Sequence, residues 1–421
     1  MKGPRRGQLQ LAHALVPCLI AGPVLAGLAI TLGHILVTRY PDLGWPQTIA
    51  NDGRALATGS ALYGNPSRQY TGMLYTPPLP AVLAPLYRLR WWDGWALLIS
   101  TLSAVGLGTL VAIVAGSGNR DRARAVRILG GVGVGGLAFW IVTTNPFNAV
   151  YTGRVDQVAW LFAFGGLCVL ALGQAHHWPR TWPAVVLLTA AVWTKQPTAT
   201  AVVASVIVAT WWAASNMMTW KAWRSFVGGL AAANLAILIG LLAITRGRIW
   251  FSIVEIAARK HSDSAVIPYL SELARLMAIP MVAVALVIVI AWQAFPRLSS
   301  KSFGASLLAL LVVFLLVDLL PTLISRRQQG GNVNEYLGMM WALGFLLAVA
   351  HREASTRRAL TAGLVAYCSV ALIVFVPRCV PRSGDQKWSC RRRCHATPSS
   401  RLIRRSSPTR AHTWCTRARW G

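Results

Sequence analysis

Apolar stretches of 14 to 27 residues recur along this chain, with the charged residues gathered between them. Residues 11–37, 94–115, 128–144, 158–172, 226–244, 276–292, 307–324, 337–350 and 360–376 all have this character, and 182–212 is a longer interrupted run. A helix rises about 1.5 Å per residue, so ~20 apolar residues match ~30 Å of hydrocarbon. A helix also satisfies its backbone polar groups without water. Only 13% of the residues are charged, against about a quarter in soluble domains. The pattern predicts an all-α, polytopic transmembrane helical bundle of about ten to eleven spans.

The run at 11–37 follows Lys2, Arg5 and Arg6. It is long for a signal-peptide core and lacks a convincing small-residue cleavage site. It reads as a first span with a cytoplasmic N-terminus. A first outer loop covers 38–76, and the apolar segment Leu79–Leu89 is too short to span and reads as an interfacial or re-entrant helix. The run from Trp182 to Trp212 is broken by Lys195, Gln196 and Pro197. That break predicts two helices. A single kinked helix is the alternative and would invert the topology downstream. Charge supports this ladder: the predicted inner segments hold Arg120–Arg127, Lys221, Arg224, Arg297, Lys301, Arg352, Arg357 and Arg358. The outer segments collect Asp42, Asp52, Asp93, Asp156, Glu255, Asp263, Glu272 and Glu335; the short inner loops rich in Lys and Arg are what the positive-inside rule requires.

The transmembrane domain ends near residue 376. The tail, 377–421, is rich in Arg, Ser, Cys and Trp, and holds four of the seven cysteines: Cys379, Cys390, Cys394 and Cys415. Three readings compete. One is an arm for anionic lipid or nucleic acid. Another is a zinc site from Cys390, Cys394, His395 and Cys415. The favoured one is an out-of-frame reading of GC-rich DNA, which would leave the chain cut short and inactive. Twelve of the 41 Lys and Arg lie in this tail, so the net charge of +29 does not argue for a nucleic-acid partner, and none is expected. Cys18, Cys168 and Cys368 lie singly inside apolar runs and read as packing residues.

Soluble-enzyme motifs are missing: the chain has no Walker loop, no G-x-S-x-G and no H-E-x-x-H. The glycine run Gly130–Gly136 lies in an apolar stretch and suits close helix packing. Candidate chemistry therefore falls on the outer face. Asp42, just beyond the first span, suits a general base on an acceptor hydroxyl, with Asp52 as second candidate; either could instead cap a helix or solvate a loop. Lys195 interrupts ~30 apolar residues, where an ionisable side chain is costly. It reads as a cation for a lipid phosphate, or else as a side chain snorkelling from a helix end. Asp318 lies inside a run and reads mainly as the partner of a neighbouring helix. Arg326, Arg327, Asn332, Asn334 and Glu335 form a polar cluster suited to phosphate oxygens and sugar hydroxyls, or an ordinary solvated loop.

Five stretches, in order, resemble a known family. Asp42 is followed by Ala55-Leu56-Ala57-Thr58-Gly59-Ser60-Ala61-Leu62-Tyr63, then Tyr75-Thr76-Pro77-Pro78-Leu79 with Ala84-Pro85-Leu86. Gly153-Arg154-Val155-Asp156-Gln157 opens a span, Trp193-Thr194-Lys195-Gln196-Pro197 breaks one, and Gly331-Asn332-Val333-Asn334-Glu335-Tyr336 comes late. Across residues 10 to 376 this resembles the GT-C superfamily of membrane glycosyltransferases, in its bacterial branch that uses polyprenyl-phosphate sugars (mannosyl- and arabinosyltransferase-like). Where many members carry a paired acidic motif, Asp42 is followed here by Leu43.

The resemblance implies a multi-pass transferase of the plasma membrane. It would move a hexose or pentose from a polyprenyl-phosphate donor to a cell-envelope glycan or glycolipid on the outer face, without a metal or assisted by a divalent one. It implies Asp42 as catalytic acid/base and Lys195 as a donor-phosphate contact. Tyr75, Arg154, Asp156, Gln196, Arg326, Arg327, Asn332, Asn334 and Glu335 are the accompanying substrate-binding candidates. The rival readings are a transporter or lipid flippase, which would need ionisable residues along an intramembrane path, and a non-catalytic scaffold.

Overall fold

Proline and glycine set the helix boundaries. In the computed structural model, residues 45–59, 63, 77–90, 94–117, 124–143, 155–176, 181–250, 254, 302–327 and 333–353 are described. They belong to one unit, Met1–Cys379. The helices are α1 (Trp45–Ala57), α2 (Pro78–Leu89), α3 (Trp95–Gly116), α4 (Arg124–Thr143), α5 (Asp156–Ala175), α6 (Trp182–Thr194), α7 (Ala199–Ala214), α8 (Trp220–Thr245), α9 (Phe303–Arg327) and α10 (Leu337–Glu353). Prolines occupy the first turns of α2 and α6, where a missing N–H costs nothing. Thr219 caps α8 by accepting a hydrogen bond from the Ala222 N–H at 3.2 Å. That helix ends where Arg246 and Gly247 turn left-handed, at φ 51° and 78°.

The described residues form a helical bundle without strands. Five segments are long and apolar enough to cross a membrane: Trp95–Gly116, Asp156–Ala175, Gln196–Ala214, Trp220–Thr245 and Phe303–Ser325. Three shorter apolar helices, Arg127–Phe139, Trp182–Thr194 and Leu337–Arg352, complete the set. The expected spans at 11–37, 276–292 and 360–376 lie outside the described residues, as does the tail. Leu102, Ile113, Ile239, Leu316 and Leu320 are exposed. Such outward apolar faces are costly in water and favourable in lipid.

α3 and α4 run antiparallel. Gly116 at the end of α3 meets Arg127 and Gly131 near the start of α4, and Gly108 meets Gly135 and Phe139. Glycine is required there: a Cβ on Gly131 would sit 2.5 Å from the Ala112 carbonyl oxygen. α6 and α7 are two antiparallel helices. Gln174, late in α5, donates to the Met217 carbonyl just past α7 at 2.8 Å, while Lys195, between α6 and α7, meets Asp156 at the start of α5. The single kinked helix is thereby excluded.

Aromatic rings pack the centre. Phe164 of α5 stacks on Phe345 of α10 at 4.8 Å and meets Phe314 of α9 edge-on at 5.5 Å, with Trp160 against Phe314 at 5.7 Å. Cys168 is buried in this core as a free thiol. At one end of the bundle Arg352 donates to Ser117 Oγ at 2.6 Å and lies over the Phe303 ring. At the other end the hairpin of α1 and α2 is seated on the first turns of α3 and α5: Ile49, Ala50, Leu79, Leu83 and Tyr87 pack with Ala96, Val155 and Val158. Leu79–Leu89 is thus helical, as expected. With 12 residues, α2 is shorter than a span.

Candidate functional site

The break after α6 is local chemistry with a long-range result. Pro197 lacks an N–H and disfavours helical geometry at Gln196. Lys195 is extended, at φ −153° and ψ 122°, and a 3₁₀ turn covers Gln196–Thr198. The backbone of Lys195 is held from both sides. Its N–H donates to Ala191 O at 2.9 Å, and its carbonyl accepts from the Thr198 hydroxyl at 2.8 Å. The side chain is thereby fixed in the bundle interior, 5% exposed.

The Lys195 ammonium donates to Asp156 Oδ1 at 2.5 Å and to Glu335 Oε2 at 3.4 Å. Asp156 is buried in the first turn of α5, where the helix dipole favours a carboxylate. Glu335 lies in the 3₁₀ turn Val333–Tyr336 that leads into α10. A parallel link lies alongside: Trp341 Nε1 donates to Gln157 Oε1 at 2.9 Å. The carboxamide nitrogen of Gln157 is buried without a hydrogen-bond partner among the described residues. Deeper in the bundle, Asp318 accepts from the hydroxyls of Thr200 at 2.7 Å and of Thr322 at 3.1 Å. This is the cross-helix pairing expected for it.

Asp52 lies within α1, neither as a cap nor in a loop. One carboxylate oxygen is buried with no hydrogen-bond partner among the described residues. Burial pushes its carboxyl up to about 6, because a desolvated carboxylate favours its neutral form. Its neighbour Gly53 allows α1 to close on α2, where a Cβ would meet that of Leu83 at 2.7 Å. The hairpin carrying Asp52 rests on Val155 and Val158, the residues on either side of Asp156 and Gln157.

Three sequence candidates from separate stretches thus come together: Asp156, Lys195 and Glu335. Gln196 is half-buried in the adjoining turn. Asp42, Tyr75, Arg154 and Asn332 lie outside the described residues. So do the side chains of Arg326, Arg327 and Asn334, whose backbones close α9 and form the turn before α10. Lys195 differs from the expectation of a cation offered to a lipid phosphate: two carboxylates already hold its ammonium. Sequence reasoning singled out Asp156 and Lys195 but not their pairing, and it did not single out Thr200 or Trp341. Thr322, four residues beyond Asp318, was detectable as an i,i+4 neighbour. Among the described residues no group of three or more His, Cys, Asp or Glu side chains is arranged to hold a metal ion.

Fold and site together define a helical membrane protein with an ionic cluster built across its bundle. No family model matches the chain, and no curated protein or solved structure matches it.

Proposed function

We propose that this chain is an integral membrane glycosyltransferase of GT-C type. It has about ten to eleven spans and a cytoplasmic N-terminus. It moves a sugar from a polyprenyl-phosphate donor to a cell-envelope glycan or glycolipid outside the plasma membrane. One observation carries the reading: Lys195 binds Asp156 and Glu335, so three of the stretches behind the family resemblance converge on one buried cluster. The α1–α2 hairpin covers the same end of α5 and brings a carboxyl, Asp52, whose raised value near 6 suits a general base at neutral pH.

In this reading Asp52 or Asp42 takes the proton of an acceptor hydroxyl as that oxygen attacks the anomeric carbon. The bond from that carbon to the lipid phosphate oxygen breaks, and its electron pair leaves on the phosphate. Lys195 keeps Asp156 and Glu335 in place, and stabilising the leaving phosphate falls to Arg326 and Arg327 at the end of α9. The test supplies membranes with radiolabelled polyprenyl-phosphate mannose or arabinose. The native chain should transfer label. Losing the base should cost about 10²–10⁴-fold in Asp52→Asn or in Asp42→Asn. If both variants fold and keep full transfer, neither carboxyl is the base; if the native chain transfers from neither donor, the reading fails.

A second reading has its own observation. Asp156, Lys195 and Glu335 meet at the helix break before α7, with Asp318 on the neighbouring α9, and helix breaks carry ion and substrate sites in transporters. A lipid flippase or transporter would move a labelled polyprenyl-phosphate lipid across a proteoliposome bilayer without cleaving it.

A further inference from the structure

We propose that Asp318 and Thr200 form a proton-exchange site whose state is passed to the turn that carries Lys195. The Thr200 hydroxyl lies 2.7 Å from Asp318 Oδ1 and 2.9 Å from the Pro197 carbonyl oxygen. A hydroxyl has one proton to donate, so it serves one of these acceptors at a time. With Asp318 ionised, Thr200 donates to the carboxylate, and the Pro197 carbonyl loses that donor. When Asp318 takes up a proton on Oδ1, its own O–H donates to Thr200 Oγ1, and Thr200 turns its proton to Pro197. Every group in the chain is then satisfied, the condition that stabilises a buried polar network.

Charge points the same way. Asp318 is 1% exposed, and its hydrogen-bond partners among the described residues are two neutral hydroxyls. Among the described residues the Lys195 ammonium is held by Asp156 and Glu335 and makes no ion pair with Asp318 on α9. Asp318 also feels the charges of Glu335 and Lys195. A buried carboxylate held by neutral hydroxyls is costly, and taking up a proton removes its charge. Pro197 belongs to the 3₁₀ turn directly after Lys195, so the hydroxyl switch acts on the backbone that aims the ammonium at Asp156 and Glu335. The site stands apart from the transfer chemistry proposed above and holds equally for a transporter.

The test is infrared difference spectroscopy on the full chain in lipid, stepped between acid and alkaline pH, reading the carbonyl stretch of protonated carboxyl groups. The native protein should show one such band that disappears in Asp318→Asn. The band should persist but shift in Thr200→Val, where the carboxyl loses its acceptor. An undiminished band in Asp318→Asn, or none in the native protein at any pH at which it stays folded, would overturn the site. An unshifted band in Thr200→Val would overturn the relay.

Discussion

Replacing Lys195 by Met keeps an unbranched side chain, one atom shorter, and removes the charge. The ammonium is buried, its 2.5 Å partner Asp156 is 1% exposed, and its 3.4 Å partner Glu335 is 14% exposed. Removing one member of a buried pair costs about 3–5 kcal/mol, because the remaining charge is left uncompensated. Here two carboxylates lose the ammonium at once, so the upper half of that range applies. In equilibrium terms this is roughly 10³-fold or more towards the unfolded state. Asp156→Asn should cost less, about 1–3 kcal/mol, since Glu335 still pairs with Lys195. Glu335→Gln should cost least, its contact being longer and its side chain less buried. The assay is a denaturant titration of the purified chain in mixed micelles, followed by tryptophan fluorescence. The triple variant Lys195→Met/Asp156→Asn/Glu335→Gln should recover most of the loss, because neutral replacement of a whole buried ion group is often tolerated. A Lys195→Met protein within about 0.5 kcal/mol of the native chain, the usual scatter of surface changes, would refute the buried cluster.

Two further outcomes follow from the geometry. Asp52 has a native value near 6 against 3.8 for the free side chain, so between these the folded chain holds a proton that the unfolded chain has released. Its contribution to stability is full below about pH 4 and is lost as pH rises through about 6; Asp52→Asn should flatten that limb in a pH series of denaturant titrations. A Cβ on Gly338 would lie 2.5 Å from the Trp160 indole, whereas one on Gly228 meets nothing within 4 Å. Gly338→Ala should therefore cost about 1–3 kcal/mol by overpacking, with Gly228→Ala neutral or slightly stabilising, as read by thermal unfolding of the two proteins side by side.

The helical bundle was readable because its signal is one-dimensional. A run such as Trp95–Gly116 has to be long, apolar and uncharged to serve as a span, and each of those properties is visible without a partner. The break at Lys195 was equally plain, since Pro197 acts within its own turn. What the sequence could not carry was pairing between distant residues. Asp156 and Lys195 lie 39 residues apart and Glu335 a further 140 beyond Lys195. Only the antiparallel return of α6 along α5, and the start of α10 lying beside the start of α5, bring them together. Lys195 consequently read as an available cation, whereas its charge is satisfied inside the bundle. Asp52 read as a loop or capping residue because the helical signal of α1 is short and weakly apolar. Its burial comes from contact with α2 and the start of α5, which no local pattern encodes.

The order of these residues along the chain also bears on how the protein is made. Asp156 is synthesised before Lys195, and the two meet across the open end of the α5–α6 hairpin, away from the loop that joins the helices. When α6 enters the bilayer its lysine can therefore travel with a counter-charge already in place, so α5 and α6 can be released sideways from the insertion machinery as a neutral pair. Glu335 emerges long afterwards. Its arrival beside Lys195 would come last and latch the α9–α10 portion onto a hairpin that had been waiting in the membrane.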